Sequence, residues 1–583
     1  MTADNSRSIK PSVFLKTPGA RSIYQDILKR MLDRVHTKWA RGEIRAIVPV
    51  PNGEGPDRSA EVMKWKDTVS RLGKESREKM SSSFSSLDRW GEPTGRPGED
   101  WAVLVQDDRT HQDLLSSPHG RMLNILTRRD RDSLGDYSVV VALAGDLDGD
   151  NIVPVRSGAD LHEFAPQVVV SFFSHNRNVI EAVGDLIQTI DVPEKKPSAR
   201  LALEVLDGLV DRDDHHEPIA PACRDVLGEM NSRLREGASN LSVSGSELLD
   251  IMEKRSTSRI DSLVRDTMDW GMEQVKERTG KRVSVFRVGF PIEMDEEELE
   301  RVERGIRAGR EIARFTELVM AAGKLAELRE GVERELEQCR ELDLWCGLGQ
   351  FALEHDLNPA REGRDISLEG GLHLSLPRDG SAQMVDFSFG RSGDEQPVVL
   401  LTGANSGGKT TLLELVAQTV VLHHMGLPVP ARDAKVPPLS QLHLLKRQKS
   451  MNAGTLEHFL KSMARVLSSQ DRKLILADEM EAITELDAAA RIIGTYIEII
   501  EETGSYGIFV THLAPQILQH AQCRVDGIEA RGLDDRYNLL VDRTPRRGLV
   551  ARSTPELIVT KLASISPKRD RDVYLRILDR FGK

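Results

Sequence analysis

Cysteine is scarce: there are four in 583 residues (Cys223, Cys339, Cys346 and Cys523), with no C-x-x-C pair and no metal-ligand spacing. That excludes a disulfide framework and a zinc module, and it fits buried or free thiols in a reducing compartment. No apolar run approaches the length that spans a bilayer, and the N-terminus has no apolar signal-peptide core. A soluble, intracellular, cytoplasmic protein with no membrane partner is expected. Aromatic residues make up only 4% of the chain and charged residues 30%, a balance that suits long solvated helices around small cores. A basic excess is missing too. The net charge is −12, so no global field draws a polyanion, and any nucleic-acid contact has to come from local basic patches. The length leaves room for several domains.

One stretch carries clear chemistry. Gly403-Ala404-Asn405-Ser406-Gly407-Gly408-Lys409-Thr410 matches G-x-x-x-x-G-K-[ST], the phosphate-cradling P-loop. Residues 397–402 (PVVLLT) before it read as a short buried strand. Thr410 to His424 after it carry Leu412, Leu413, Val416, Val420 and Val421 at helical spacing. The glycines at 403, 407 and 408 let successive backbone N–H groups face an anion, and the following helix adds its positive dipole end. Lys409 is placed to reach the β- and γ-phosphates of ATP, and the Thr410 hydroxyl to ligate Mg²⁺.

Two further strand ends belong with this loop. Residues 474–479 (LILADE) form an apolar strand ending in Asp478 and Glu479. Alone, such a pair could be a solvated turn. Beside a P-loop, Asp478 is expected to hold Mg²⁺, directly or through water, and Glu479 to polarise the attacking water. Residues 507–510 (GIFV) read as a third buried strand followed by Thr511 and His512. In open α/β sheets the ligand sits beyond the carboxyl ends of the strands, so His512 is placed to contact the γ-phosphate or the water.

Elsewhere the chain divides by character. Residues 1–100 are polar and irregular, with connector-like runs at 81–86 and 91–98; a helix is expected over Ile23 to Trp39. Strands are expected at Trp101–Gln106, Ser138–Leu143 and Val168–Phe172, with a mixed helix over Leu114–Leu126, giving a small α/β unit. Asp146, Asp148 and Asp150 are spaced like the start of a calcium loop, but the closing acidic residue is absent and the run reads as a polar turn. Helices are expected over Val179–Ile190, Pro221–Arg235 and Ser246–Thr279. A β-rich interruption follows at 282–290, and then a very long helix opened by Asp295.

The segment TGANSGGKTT (402–411) resembles the P-loop of the MutS family of DNA-repair ATPases, departing from it at Ala404, where the family usually has proline. LILADEMEAITELDAAARII (474–493) resembles the family's Walker B strand and following helix, with an altered loop at 480–485. VTHLAPQIL (510–518) resembles its switch-histidine segment. KRQKSMNAGTLEHFLKSMARVL (446–467) resembles the segment through which one subunit reaches ATP held by the other, with Gly454 and Thr455 at the matching positions; Thr455 is expected to cap the helix. LVARSTPELIVTKLA (549–563) resembles the C-terminal dimer-forming segment. The Phe-x-Glu wedge of mismatch readers occurs only as Phe315-Thr316-Glu317, inside the long helix, where Phe315 reads as core. The C-terminus leaves no room for an Smr domain. The resemblance is therefore to archaeal MutS-related paralogues without those two features.

This resemblance implies an α/β P-loop NTPase (ABC-like) C-terminal domain, a long α-helical core/lever domain with a clamp, and a small N-terminal α/β region. The implied divisions are 1–100 (poorly defined), 101–175 (small α/β), 176–365 (helical core and lever, clamp insert near 280–295) and 366–583 (ATPase and dimerisation). The implied site comprises Gly403, Ala404, Asn405, Ser406, Gly407, Gly408, Lys409, Thr410, Thr411, Gly454 and Thr455 around the nucleotide, Thr410 and Asp478 on the metal, and Glu479 and His512 in catalysis. ATP and Mg²⁺ are the implied cofactors. A homodimer on double-stranded or branched DNA, chromosome-associated and acting in mismatch repair or recombination control, is the implied assembly, with Lys276, Lys281, Arg282 and Arg287 near the clamp tip facing phosphates. Two other readings fit parts of the pattern. An SMC, RecN or ABC-like ATPase with helical arms would carry its signature between the Walker elements, whereas LSVSG (241–245) precedes the P-loop. A nucleotide-gated DNA scaffold with little turnover is kept open by the altered 481–485 loop.

Overall fold

The structure is a computed structural model. It describes residues 10–97, 100–143, 147, 149–190, 195–209, 218–240, 258–403, 407–446, 453–480, 485–533, 539–551 and 555–581. Asp146 and Asp148, the 241–245 run, Ala404, Asn405 and Ser406, and residues 481–484 lie outside these. The chain is mixed α/β, largely helical, with parallel sheets, and divides into two compact units: residues 1–88 with 337–583, and residues 89–336.

The first unit is built on a six-stranded sheet, in the order Gln441–Leu445, Lys473–Asp478, Tyr506–Val510, Val398–Gly403, Arg524–Ile528 and Arg546–Arg547. The first five strands run parallel and the short last one antiparallel. Strands buried on both faces read as continuous apolar runs, and Val398–Gly403 is buried at every position. The helix Lys409–His424 is buried nearly all round, as a helix enclosed by other layers must be. A second, four-stranded sheet joins Arg361–Glu362, Asp433–Val436, Asp365–Gly371 and Val385–Gly390.

The N-terminal residues belong to this unit, and here the structure corrects the expected poorly defined region. Residues 10–88 form the helices Pro18–Leu32, Lys38–Ala46, Ser59–Arg71 and Lys74–Ser86. The helix expected over Ile23 to Trp39 is thus two helices, and the connector expected at 81–86 is helical. The apolar residues are sparse but well spaced: Phe14, Leu15, Ile23, Ile27, Met31 and Ile44 share one core with Leu348, Phe351, Val416, Val420 and Leu442. Thr17 fixes the join. Its Oγ1 caps the first helix by accepting from Ala20 N, donates to Leu444 O at 2.9 Å and accepts from Leu444 N at 2.9 Å. The hydroxyl's one proton and two lone pairs are thereby used, and the edge of the large sheet is covered. Asp343, fully buried, accepts from His36 N, Thr37 N and Thr37 Oγ1, anchoring the start of Lys38–Ala46.

The second unit holds a four-stranded, all-parallel sheet in the order Ile125–Leu126, Trp101–Val105, Val139–Leu143 and Ile152–Val155. Residues 168–172, expected as a strand, lie in the helix Pro166–His175. Pro166 starts it at a position that needs no N–H, Val168 and Phe172 fall one turn apart on its buried side, and Asn176 Nδ2 donates to Phe172 O at its end. Helices Arg177–Ile190, Ser198–Asp207, Ile219–Ser239 and Ser258–Thr279 follow. In the 282–290 interruption only Phe286–Arg287 pairs, with Glu293–Met294. Asp295 then opens the 59-residue helix Glu296–Glu354, its Oδ1 accepting from Glu298 N at 3.2 Å. Phe315 is core, edge-on to Trp101 at 5.4 Å. Around the interruption, Lys276 pairs with Glu273 and Arg287 with Asp295. Among the described residues, no helix is long and apolar enough to cross a membrane.

Candidate functional site

The carboxyl ends of three adjacent strands meet at one place. Strand Tyr506–Val510 lies between Lys473–Asp478 and Val398–Gly403, with Val510 in register with both Asp478 and Leu401. Gly403, Asp478, Glu479, Thr511 and His512 therefore emerge side by side.

The loop after Gly403 demands glycine at two described positions. Gly403 has φ +128°, and a Cβ there would stand 2.1 Å from Ile528 O. Gly408 has φ +89° and precedes the first turn of Lys409–His424. Such left-handed values favour glycine. Gly407 is buried and Thr411 half-buried. Lys409 is buried, and its ammonium donates to Gly403 O at 2.6 Å, closing the loop's two ends.

Thr410, exposed at the helix start, donates from Oγ1 to Asp478 Oδ2 at 2.9 Å. Burial raises the Asp478 carboxyl above its ordinary value. The Thr410 bond and Lys409 oppose that shift, while the charge of Glu479 adds to it. A hydroxyl and a carboxylate so placed are two hard oxygen donors, the set that suits Mg²⁺, and a cation there would offset the desolvation of Asp478.

Glu479 holds φ +46°, in the left-handed region that non-glycine residues rarely occupy, and its N–H donates to Val510 O at 3.0 Å. Backbone strain of this kind collects at functional positions. Its Oε1 lies 3.6 Å from His512 Nε2, within ion-pair range though longer than a hydrogen bond. Leu513 N donates to Thr511 Oγ1 at 3.0 Å, so the turn carrying His512 is held from its own side chain. Gly454 and Thr455 fall in the first turn of the helix Ala453–Leu467, which begins before the cap expected at Thr455.

The cluster brings together a glycine turn closed by Lys409, a hydroxyl bonded to a carboxyl group, and a second carboxyl group facing a histidine, all at the sheet's carboxyl edge. Residues 399–563 match the family model MutS domain V, and the chain is 27% identical, over 97% of its own length and 99% of the relative's, to the DNA-binding protein MutS2 of Pyrococcus furiosus.

By both matches the chain is similar to the MutS family, and along nearly its whole length to MutS2.

Other relatives align over less of it. The DNA mismatch repair protein MutS of Thermus thermophilus is 29% identical over 32% of this chain and 24% of its own. The mitochondrial DNA mismatch repair protein MSH1 of Arabidopsis thaliana is 32% identical over 21% of this chain and 11% of its own. The region matched by MutS domain V contains every strand end described above. Sequence reasoning did not single out Arg543, whose guanidinium lies over Gly408. No motif marks it, and only the fold of the chain after Leu539–Val541 brings it there.

Proposed function

We propose that the chain is an ATP-dependent DNA-binding protein of the MutS type, working as a homodimer. The observation that carries the reading is the convergence of Lys409, Thr410, Asp478, Glu479 and His512 beyond three adjacent parallel strands. In it, the loop amides and Lys409 neutralise the triphosphate, and Thr410 and Asp478 hold Mg²⁺, which supplies charge neutralisation between the phosphates. Glu479 accepts a proton from the attacking water, and His512 fixes the carboxylate's orientation and faces the γ-phosphate. Ala404, Asn405, Ser406 and Thr411 complete the phosphate loop. Gly454 and Thr455 of one subunit close on the nucleotide of the other, so that ATP favours a closed dimer and hydrolysis reopens it.

DNA is the proposed partner, in duplex or branched form, with roles in mismatch repair or recombination control inside the cell. The relatives' names supply the class. Long helices such as Glu296–Glu354 are the proposed levers, and the exposed Lys281 and Arg282 beside the 286–294 hairpin the proposed clamp contacts. Because the net charge is −12, binding through a few basic side chains has to be steeply salt-dependent. Filter binding of duplex and four-way-junction DNA, with and without ATP and across a salt series, tests this. Affinity that rises with ATP and falls linearly with the logarithm of salt is expected; absent or salt-independent binding would remove DNA from the proposal.

A further inference from the structure

Arg543 lies where the P-loop meets the helix. A Cβ placed on Gly408 would meet Arg543 Nη1 at 3.2 Å, and among the described residues no heavy atom other than those of the adjoining backbone comes as near. The guanidinium thus covers the residue immediately before Lys409. The backbone behind it is clamped. Arg543 N donates to Gln383 Oε1 at 3.0 Å, Gln383 Nε2 donates to Asp542 Oδ1 at 3.0 Å, and Thr544 N donates to the same Asp542 oxygen at 3.3 Å. Its neighbours are neutralised: Arg546 pairs with Asp542 and Glu529, and Arg547 with Glu395. Among the described residues, no ion pair or hydrogen bond engages the Arg543 guanidinium, although its main chain is fixed.

An arginine held by its backbone, whose guanidinium no described side chain engages, beside the start of the helix Lys409–His424, has the requirements of a phosphate ligand. Its planar fork fits two phosphate oxygens at once. We infer that Arg543 is a substrate-contacting residue of the nucleotide site, supplied by the same subunit and binding oxygens of the nucleotide's phosphate chain next to Gly408. This rests on the nucleotide reading above. It also gives Gly408 a second reason to be glycine, since a side chain there would displace the guanidinium.

Calorimetric titration of the full chain with MgATP, comparing wild type, Arg543→Gln, Arg543→Lys and Gln383→Ala, tests the assignment. Arg543→Gln is expected to weaken MgATP binding by roughly 10- to 100-fold, the scale of one lost charge-assisted contact. Arg543→Lys should fall in between, because a point charge replaces the fork. Gln383→Ala, which leaves Arg543 present but frees the backbone at 542–544, should weaken binding in the same direction and by less. Wild-type protein that binds MgATP, with Arg543→Gln binding it equally well, overturns the role of Arg543 and leaves the nucleotide site intact. Wild-type protein that takes up no MgATP overturns both. If Arg543→Gln does not fold, Arg543→Lys and Gln383→Ala decide: wild-type affinity in both overturns the assignment.

Discussion

Glu479 Oε1 and His512 Nε2 face each other across 3.6 Å at the ends of neighbouring strands, with Glu479 in a left-handed backbone conformation. If Glu479 accepts the proton of the attacking water, Glu479→Gln keeps the shape and removes the base. ATP affinity should be retained while turnover falls by about 10²- to 10⁴-fold, the usual range for general-base loss. Steady-state ATPase assays with parallel nucleotide titrations check this. Equal turnover in the variant would mean that Glu479 has no part in the chemistry.

The hydrogen bond from Thr410 Oγ1 to Asp478 Oδ2 joins the two proposed cation donors. Thr410→Ala deletes one oxygen donor and leaves the amide cradle. Nucleotide binding in excess chelator should be unchanged, and the additional affinity conferred by Mg²⁺ should drop by roughly tenfold, about the worth of one charged contact. A variant whose Mg²⁺ dependence matches wild type would contradict the placement of the metal.

The N-terminal helices are core to the unit that carries the six-stranded sheet. Ile27 is fully buried with Leu348, Val416 and Leu442 in one cluster. Ile27→Ala should cost about 2–5 kcal/mol of stability and lower the denaturant midpoint of that unit. A midpoint equal to wild type would show that residues 10–88 do not contribute to its core.

Acid should destabilise the fold before most carboxylates titrate. Burial pushes His355, His424 and His443 down to about 4. Arg378 and Arg30 reinforce this at His355, His423 at His424, and Lys473 and Lys16 at His443. The Nδ1 of His424 donates to Val50 O at 2.8 Å, a bond the neutral ring already makes. An unfolded histidine takes its proton near 6.5. Between pH 6.5 and about 4 the unfolded chain binds more protons than the folded one, so stability is full above that window and declines as pH falls through it. Tm should be flat from pH 8 to 7 and fall between pH 6.5 and 5. A flat Tm down to pH 5 would contradict the burial of these rings as neutral groups.

The sheet that carries the site was legible because its strands are enclosed. Val398–Gly403, Lys473–Asp478 and Tyr506–Val510 are near-continuous apolar runs that stop at chemically marked residues, and burial on both faces leaves few other ways to read them. The N-terminal helices were legible only over Ile23 to Trp39, since their buried residues are thinly spread among polar ones and find partners in distant segments, as Thr17 does with Leu444. Val168–Phe172 misled because a short apolar run has no period of its own; Pro166 and Asn176 decide it as a helix. Arg543 was invisible for a related reason: its position depends on Gln383, a pairing between remote parts of the chain.

The central claim is that the backbone amides of residues 403–410 and the Lys409 ammonium neutralise a triphosphate. Calorimetric titration of MgATP into the wild-type chain and Lys409→Ala tests it most directly. Saturable heat for wild type and its loss in the variant is the expected result; no heat from folded wild-type protein, or equal binding by Lys409→Ala, would contradict it.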